Sequence, residues 1–358
     1  MTIPSTTTTS TMRFGLSGSL GGLEAHNHAA IPERAREIER LGFAGMWFNE
    51  EHFGRTDASH QRHILSPIVL AMAVAAATTQ LRVGFSVLLV PLHHPLRLAE
   101  EIATLDVLSG GRVDLGVSRA NNGRYGVAFG YDRQTGPDLE RCLDTMIGYW
   151  AGKPLTIDDI DYTVSPAPIQ QPHPPIYVGA YSESTIEWAA RCGYPTIQHG
   201  IQSAASLHRC LTSYAGHGGD LSQVPVGRFC YVGESDAQAR KDIWPIVVRQ
   251  AERLHGIGIW RRGDQVMTEA DLDPERFYHE TAIIGGPDTV AARIAHLRDT
   301  YGIRYVNLLS SFFGLMPEQL LRSSLELFAR EVMPRFVSTG AGLQSATGQA
   351  APATPDLR

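Results

Sequence analysis

Eight short apolar runs, each followed by a longer amphipathic segment, predict an α/β fold: a single (β/α)8 TIM barrel with insertions at the C-terminal face of the strands. Two observations back closure into a barrel. The 358 residues are 43% hydrophobic, enough for one large core, and show no sign of a second. The turn after Gly18 does not fit the GxGxxG pattern that an open, doubly wound sheet usually carries there.

The elements follow in order. RFGLSG (Arg13 to Gly18) reads as the first strand, with a helix near Pro32 to Leu41, where proline suits a first turn. AGMWFN (Ala44 to Asn49) is the second strand, followed by an apolar helix from Pro67 to Thr78. LRVGFSVLLV (Leu81 to Val90), the helix Pro95 to Leu108 and GRVDLGVS (Gly111 to Ser118) come next. PIYVGA (Pro175 to Ala180) precedes a helix from Ser182 to Cys192, and YPTIQH (Tyr194 to His199) one from Ala204 to Tyr214. VPVGRFCYV (Val224 to Val232) precedes a helix from Ala237 to Leu254. The last unit is the helix Asp288 to Thr300, IRYVNLL (Ile303 to Leu309) and the helix Pro317 to Phe328. Two segments exceed ordinary loop length, 119–174 and 255–286, and are expected at the catalytic face. Residues 1–11 read as a disordered leader, 12–337 as the barrel domain and 338–358 as a disordered tail.

Composition narrows the function. The net charge of -6 comes from interspersed acids and bases without like-charge blocks, so neither nucleic acid nor a membrane surface is an expected partner. The longest apolar stretch, Pro67 to Ala77, is about half a membrane span. Cys142, Cys192, Cys210 and Cys230 form no CxxC or zinc pattern and read as buried free thiols, which with the lack of a secretory signal suggests a cytoplasmic protein. Walker loop, GxSxG elbow and HExxH are absent, so kinase, serine-hydrolase and zinc-protease chemistry fall away, and no metal is expected.

In a barrel, residues just past each strand point into one mouth. Here these are Asn49-Glu50-Glu51-His52-Phe53, His93-His94, Ser118-Arg119, Tyr181 to Thr185, and Gln198-His199. Ser182 and Thr185 straddle the first turn of a helix whose free N–H groups and dipole suit an anion, although Ser182 also fits a plain N-cap. Arg119, at the neighbouring exit, suits a phosphate; an ion pair with a local carboxylate is the alternative. His52 and His94 are open to proton transfer, metal binding or simple packing.

With these residues in place the chain resembles the bacterial luciferase-like flavin monooxygenases. The resemblance is carried by LGFAGMWFNEEHF (Leu41 to Phe53), the run from Leu81 to Arg119, PPIYVGAYSESTIEWAARCGYP (Pro174 to Pro195) and GPDTVAARIAHLRDTYGIRYVNLL (Gly286 to Leu309). It implies reduced FMN at the strand C-termini, its phosphate held by Arg119, Ser182 and Thr185, with Tyr181 and His94 beside it. It also implies a non-proline cis peptide at Ser86–Val87 behind the flavin ring. Two departures stand out. A second phosphate-binding arginine of relatives falls on Pro137, so Arg133 or Arg141 would have to substitute. The adjacent histidines of the luciferase catalytic subunit read Glu51-His52, so aldehyde chemistry does not carry over.

The expected reaction is insertion of one oxygen atom of O2 into a small-molecule substrate through a flavin C4a-peroxide, with His52 and Glu51 as the catalytic candidates. Without a visible dinucleotide fingerprint, the reduced flavin is expected from a separate NAD(P)H:flavin reductase. An F420-dependent hydride-transferring oxidoreductase and a non-catalytic subunit are the alternatives. The resemblance implies a homodimer paired through helices such as Pro67 to Thr78, and 255–286 reads as a lid.

Overall fold

The computed structural model describes residues 11–17, 28–53, 65–119, 124–132, 134, 136 and 138–337. The leader (1–10), the tail (338–358), His60 and His63, and Arg133 and Pro137 at the second-arginine position lie outside the described residues.

All eight expected strands form, each followed by a helical segment. In chain order the first half comprises β1 (Arg13–Ser17), α1 (Ile31–Arg40), β2 (Gly45–Phe48), α2 (Pro67–Ala77), β3 (Arg82–Phe85), β4 (Leu88–Leu89), α3 (Pro95–Ser109), β5 (Val113–Ser118), α4 (Arg124–Phe129), α5 (Leu139–Trp150), β6 (Leu155–Ile157) and β7 (Ile160–Tyr162). The second half comprises β8 (Ile176–Gly179), α6 (Glu183–Arg191), β9 (Thr196–Ile197), α7 (Ala204–Gly216), β10 (Pro225–Arg228), β11 (Cys230–Val232), α8 (Asp236–Gly256), β12 (Ile283–Gly285), α9 (Pro287–Tyr301), β13 (Tyr305–Leu308) and α10 (Glu318–Leu327).

The parallel order is β10-β13-β1-β2-β3-β5-β8-β9. A parallel bridge between Gln198 and Val226 joins the two ends, so the sheet closes on itself. The third predicted run breaks in two at Ser86–Val87, whose peptide bond is cis. Its outer piece, β4, pairs with the end of β5, Leu88 against Val117 and Leu89 against Ser118.

Period-two alternation sorts the side chains. Phe14, Met46, Phe48, Val83, Phe85, Leu115, Val117, Ile176, Val178, Val306 and Leu308 join the large core shared with the helices. Trp47, Tyr177, Ile197 and Tyr305 form a second, smaller cluster inside the barrel, with Val87 against it. Trp47 and Tyr305 are fully buried, and Trp47 Nε1 donates to Tyr305 Oη at 2.9 Å. Glycines alternate with these rings: a Cβ on Gly84 would run into the Trp47 indole, and one on Gly15 into Asn307 and Tyr305. Below the rings, Arg82 bridges β3 and β5 through a bidentate pair with Asp114, Nε to Oδ2 and Nη2 to Oδ1, both at 2.8 Å.

The long segments need correcting. Residues 119–174 are not one catalytic-face insertion, because they contain α5, a regular outer helix anchored to α3 by Trp150 Nε1 donating to the Ala99 carbonyl at 3.1 Å. Its amphipathic stretch fits that packing. The hairpin β6–β7 and the strand-entry segment follow at the opposite end, where Gln170 binds Asp106 and the Val113 carbonyl at the start of β5. Residues 255–286 carry β12, parallel to β11, and bury Val266, Met267, Leu272 and Phe277. Of the thiols, Cys142, Cys210 and Cys230 are buried but Cys192, at the C-terminal end of α6, is exposed. No helix among the described residues is long and apolar enough to cross a membrane.

Gly116 holds β5 against the break in β3, since a Cβ there would overlap the Phe85 carbonyl oxygen. Gly116→Ala should therefore cost about 1–3 kcal/mol or more by the overpacking mechanism. The control Gly216→Ala, at the end of α7 with open space around the new methyl, should cost nothing. Urea denaturation checks this; equal midpoints for Gly116→Ala and the unsubstituted chain would refute it.

Candidate active site

The aromatic plug fills the lower half of the barrel and leaves the strand exits free. At their centre lies the cis Ser86–Val87 bond. It is held from β2: Ser86 N donates to the Phe48 carbonyl at 2.9 Å, and Glu50 N to the Val87 carbonyl at 3.2 Å. Ser86 Oγ donates to Asn49 Oδ1 at 2.9 Å and lies 3.0 Å from Ser17 Oγ. Asn49 Nδ2 continues to His199 Nε2 at 3.5 Å, and the His199 ring stacks on Phe313. Gly116 and Gly179 present no side chain here; a Cβ on Gly179 would press on Val87 and Ser118.

On the β2 and β3 side the central charge is Glu50, named above only as one of the strand-exit residues. Its side chain is 1% exposed. Oε1 lies 2.8 Å from His93 Nε2 and 3.1 Å from His52 Nε2, and Oε2 accepts from Leu89 N at 2.5 Å. His52 Nε2 stays off the line of a hydrogen bond to Glu50 and has no other partner among the described residues, while its ring packs on Tyr125 and Phe129. Burial alone would raise the Glu50 carboxyl. The hydrogen bond and charge of His93, the Leu89 amide and the His52 charge overturn this and hold it below the ordinary 4.5. Burial likewise opposes the His93 cation, but Glu50 and the more distant Glu101 raise it above 6.5.

Two expected residues shift. His94 is exposed and stands at the N-cap of α3 without a side-chain cap bond, so it is His93 that turns to the site. The signal was present: Pro95 at the first helical position fixes His94 as the cap and frees the residue before it. Glu51 is half-buried, and the carboxylate brought against His52 is Glu50. The chain has left β2 by then, so strict alternation no longer assigns sides. Glu50, His52 and His93 do not form a metal-binding arrangement; among the described residues no group of three or more His, Cys, Asp or Glu is placed to hold an ion.

On the β5 and β8 side, Val117 pairs with Val178, so Arg119 and Tyr181–Ser182 leave the sheet as neighbours. Ser182 is the N-cap of α6 but makes no capping bond; its hydroxyl lies 2.8 Å from that of buried Thr185. Tyr181 is half-buried, and its carbonyl accepts from Arg209 at 3.1 Å. Arg119 forms an ion pair with Glu140, and its buried Nε has no partner among the described residues.

A pH test follows from the Glu50–His93 pair. The depressed Glu50 contributes stability that is present above 4.5 and lost as pH falls through its lowered value. The raised His93 contributes stability that is complete below 6.5 and lost as pH rises through its raised value. The stability difference between the unsubstituted chain and His93→Gln should therefore peak between 4.5 and 6.5 and shrink at higher pH. Thermal melts across the range measure it; a difference that stays flat into alkaline pH would rule the pair out.

Comparisons with known proteins bear on the fold and the family. The family model for luciferase-like monooxygenase matches residues 9–303. The alkanal monooxygenase alpha chain of Photorhabdus luminescens is 32% identical over 168 residues, 45% of each chain. The oxygenase component of flavin-dependent trigonelline monooxygenase from Acinetobacter baylyi is 24% identical, covering 88% of this chain and 91% of its own. Several curated relatives are matched over only about half their length, 61% and 55% for two uncharacterized Sinorhizobium fredii proteins. Among solved structures, the oxygenating constituent of 3,6-diketocamphane monooxygenase from Pseudomonas putida, in complex with FMN, superposes with a TM-score of 0.73 at 20% identity, covering 91% of this chain and 99% of that one. The F420-dependent tetrahydromethanopterin reductase of Methanopyrus kandleri has the same fold, with a TM-score of 0.66 at 19% identity over 91% of this chain and 100% of that one. By the extent of the family match, the chain belongs to the luciferase-like monooxygenases.

Proposed function

We propose that this chain is the oxygenating component of a reduced-FMN monooxygenase acting on a small organic substrate. The observation that carries the reading is the shared mouth. A flat floor at Ser86–Val87, a cation and two hydroxyls at adjacent strand exits, and a carboxylate–imidazole pair on the other side all open onto it. The residues fit a planar ring with a phosphate arm. Gly116 and Gly179 let β5 and β8 pack closely against Phe85 and Val87, and the Arg119 Nε, unpaired among the described residues, suits an anion beside Ser182 and Thr185.

Reduced FMN, when bound, supplies the two electrons that let one atom of O2 enter the substrate while the other leaves as water. The chain's own part is placement and proton handling. Arg119, Ser182 and Thr185 hold the phosphate, while Ser86 and Val87 back the ring. Glu50 stays ionised and fixes His93, and His52, with Nε2 buried beside Glu50, is the imidazole that would carry a proton between that carboxylate and the mouth. Phe313 and His199 give the β9 side an aromatic wall. Residues 255–286 serve as its cover. The reduced flavin comes from a separate NAD(P)H:flavin reductase, in line with the component naming of the trigonelline relative.

Titration with FMN, reduced FMN and F420, followed by absorbance, tests the cofactor; tighter binding of F420 and no oxygen uptake with reduced FMN would favour the hydride-transferring reading shared by the Methanopyrus neighbour's cofactor. Two substitutions separate binding from chemistry. Arg119→Ala should weaken FMN by about 1 kcal/mol while sparing riboflavin, which lacks the phosphate. His52→Ala should keep FMN affinity but slow turnover by roughly 10²–10⁴-fold once a substrate is in hand. Unchanged turnover would make His52 a packing residue.

We also infer a homodimer. On α2 the residues facing away from the core are Val69, Ala73 and Ala76, an apolar stripe in which Val69 is 69% exposed. Light scattering at micromolar concentration should give twice the chain mass, and Val69→Asp should halve it. A monomeric mass for the unsubstituted chain would end this reading.

A further inference from the structure

The anion end of the mouth carries its own competitor. Arg119 is the cation brought there by β5, yet its guanidinium is already paired with Glu140, at the second position of α5. Both side chains keep about a quarter of their surface exposed, 29% and 28%, so the pair sits at the rim where an incoming ligand meets it. The helix start is built to hold Glu140 there: Asp138 caps α5 by accepting from Arg141 N at 2.7 Å. Two other charges, at the start of α6 and on α7, have partners of their own. Glu183, which opens α6, binds Ser213 and His217 at 2.8 Å each. Arg209 spends its N–H groups on the carbonyls of Tyr181 and Gln265. Ser182 and Thr185 turn their hydroxyls to one another. What remains for an anion is a guanidinium whose charge is balanced by its neighbour through Nη2, with the buried Nε–H unpaired among the described residues.

We propose that Glu140 is a specificity-determining residue of this site: by occupying Arg119 it competes with the ligand's phosphate, so flavin is held loosely and FMN is only weakly preferred over riboflavin. The inference rests on reading the site as a flavin-phosphate site. A phosphate dianion must displace Glu140 from Arg119 or bind beside a like charge, and either cost falls on FMN alone. Loose binding suits a chain that receives its flavin from a diffusing pool and returns it.

The test measures Kd for FMN and for riboflavin, by quenching of flavin fluorescence, in four chains: unsubstituted, Glu140→Gln, Glu140→Ala and Arg119→Ala. The unsubstituted chain should favour FMN by less than about tenfold, and both Glu140 variants should tighten FMN by about tenfold while leaving riboflavin unchanged. FMN binding that is unchanged or weaker in the Glu140 variants, with Arg119→Ala still selectively harming FMN, would overturn the competitor role alone, since Glu140 would then be positioning Arg119. Equal loss of both flavins in Arg119→Ala would overturn the phosphate reading and the competitor with it. The first measurement needs no variant: a preference for FMN above about a hundredfold in the unsubstituted chain refutes the proposal.

Discussion

Filling the inside of a small closed barrel is the constraint on which the rest of this molecule depends. Eight strands enclose a space that side chains must occupy, and here three large rings, Trp47, Tyr177 and Tyr305, occupy its lower half. They fit because Gly15 and Gly84 withdraw their side chains from the same level. With the lower half solid, the upper half is lined by short polar groups: Ser17, Asn49, Ser86 and Ser118. The break in β3 falls at that boundary, so the cis bond lies on top of the plug rather than within it. Floor and foundation are one packing solution.

Electrostatics then divides the mouth into two ends with different characters. At the β2 and β3 end, a deeply buried carboxylate is kept ionised by imidazoles and a backbone amide, an arrangement that stores a charge without leaving it unpaired. Because one oxygen of Glu50 faces two rings, only His93 gains a well-aligned bond, and His52 is left with a nitrogen near the carboxylate but not fixed by it. A group that exchanges protons needs that latitude. At the β5 and β8 end, Arg119 is balanced by Glu140, which makes the anion site close to neutral before any ligand arrives. The two ends thus differ: a buried carboxylate between two imidazoles at one, an arginine paired with a carboxylate at the other.

Much of the fold was legible in the chain itself because it rests on local rules. Alternating apolar and small or polar residues in RFGLS, GMWF, RVGF and VDLGVS reflect strands that face a helix layer outside and a crowded interior inside. Proline at the first turns of the helices and glycine after α3 mark boundaries in the same way. The exits carrying Arg119, Ser182, Thr185 and His52 were equally readable, since a residue just past a barrel strand has one mouth to face. Less legible was 119–174, where α5 looked like part of a loop because a helix and two short strands interrupt the plain strand–helix rhythm.

By itself the sequence determined the eight-strand alternation, the glycine and aromatic pattern of the interior, and which chain segments reach the catalytic face. Only the tertiary structure decided which neighbours in sequence become partners in space. That His93 rather than His94 meets Glu50, and that Arg119 finds Glu140, depend on distances across strands and helices. The physical reason is that alternation and capping are set over a few residues of backbone. An ion pair between residues 21 or 43 positions apart exists only once the barrel has closed and brought their side chains together.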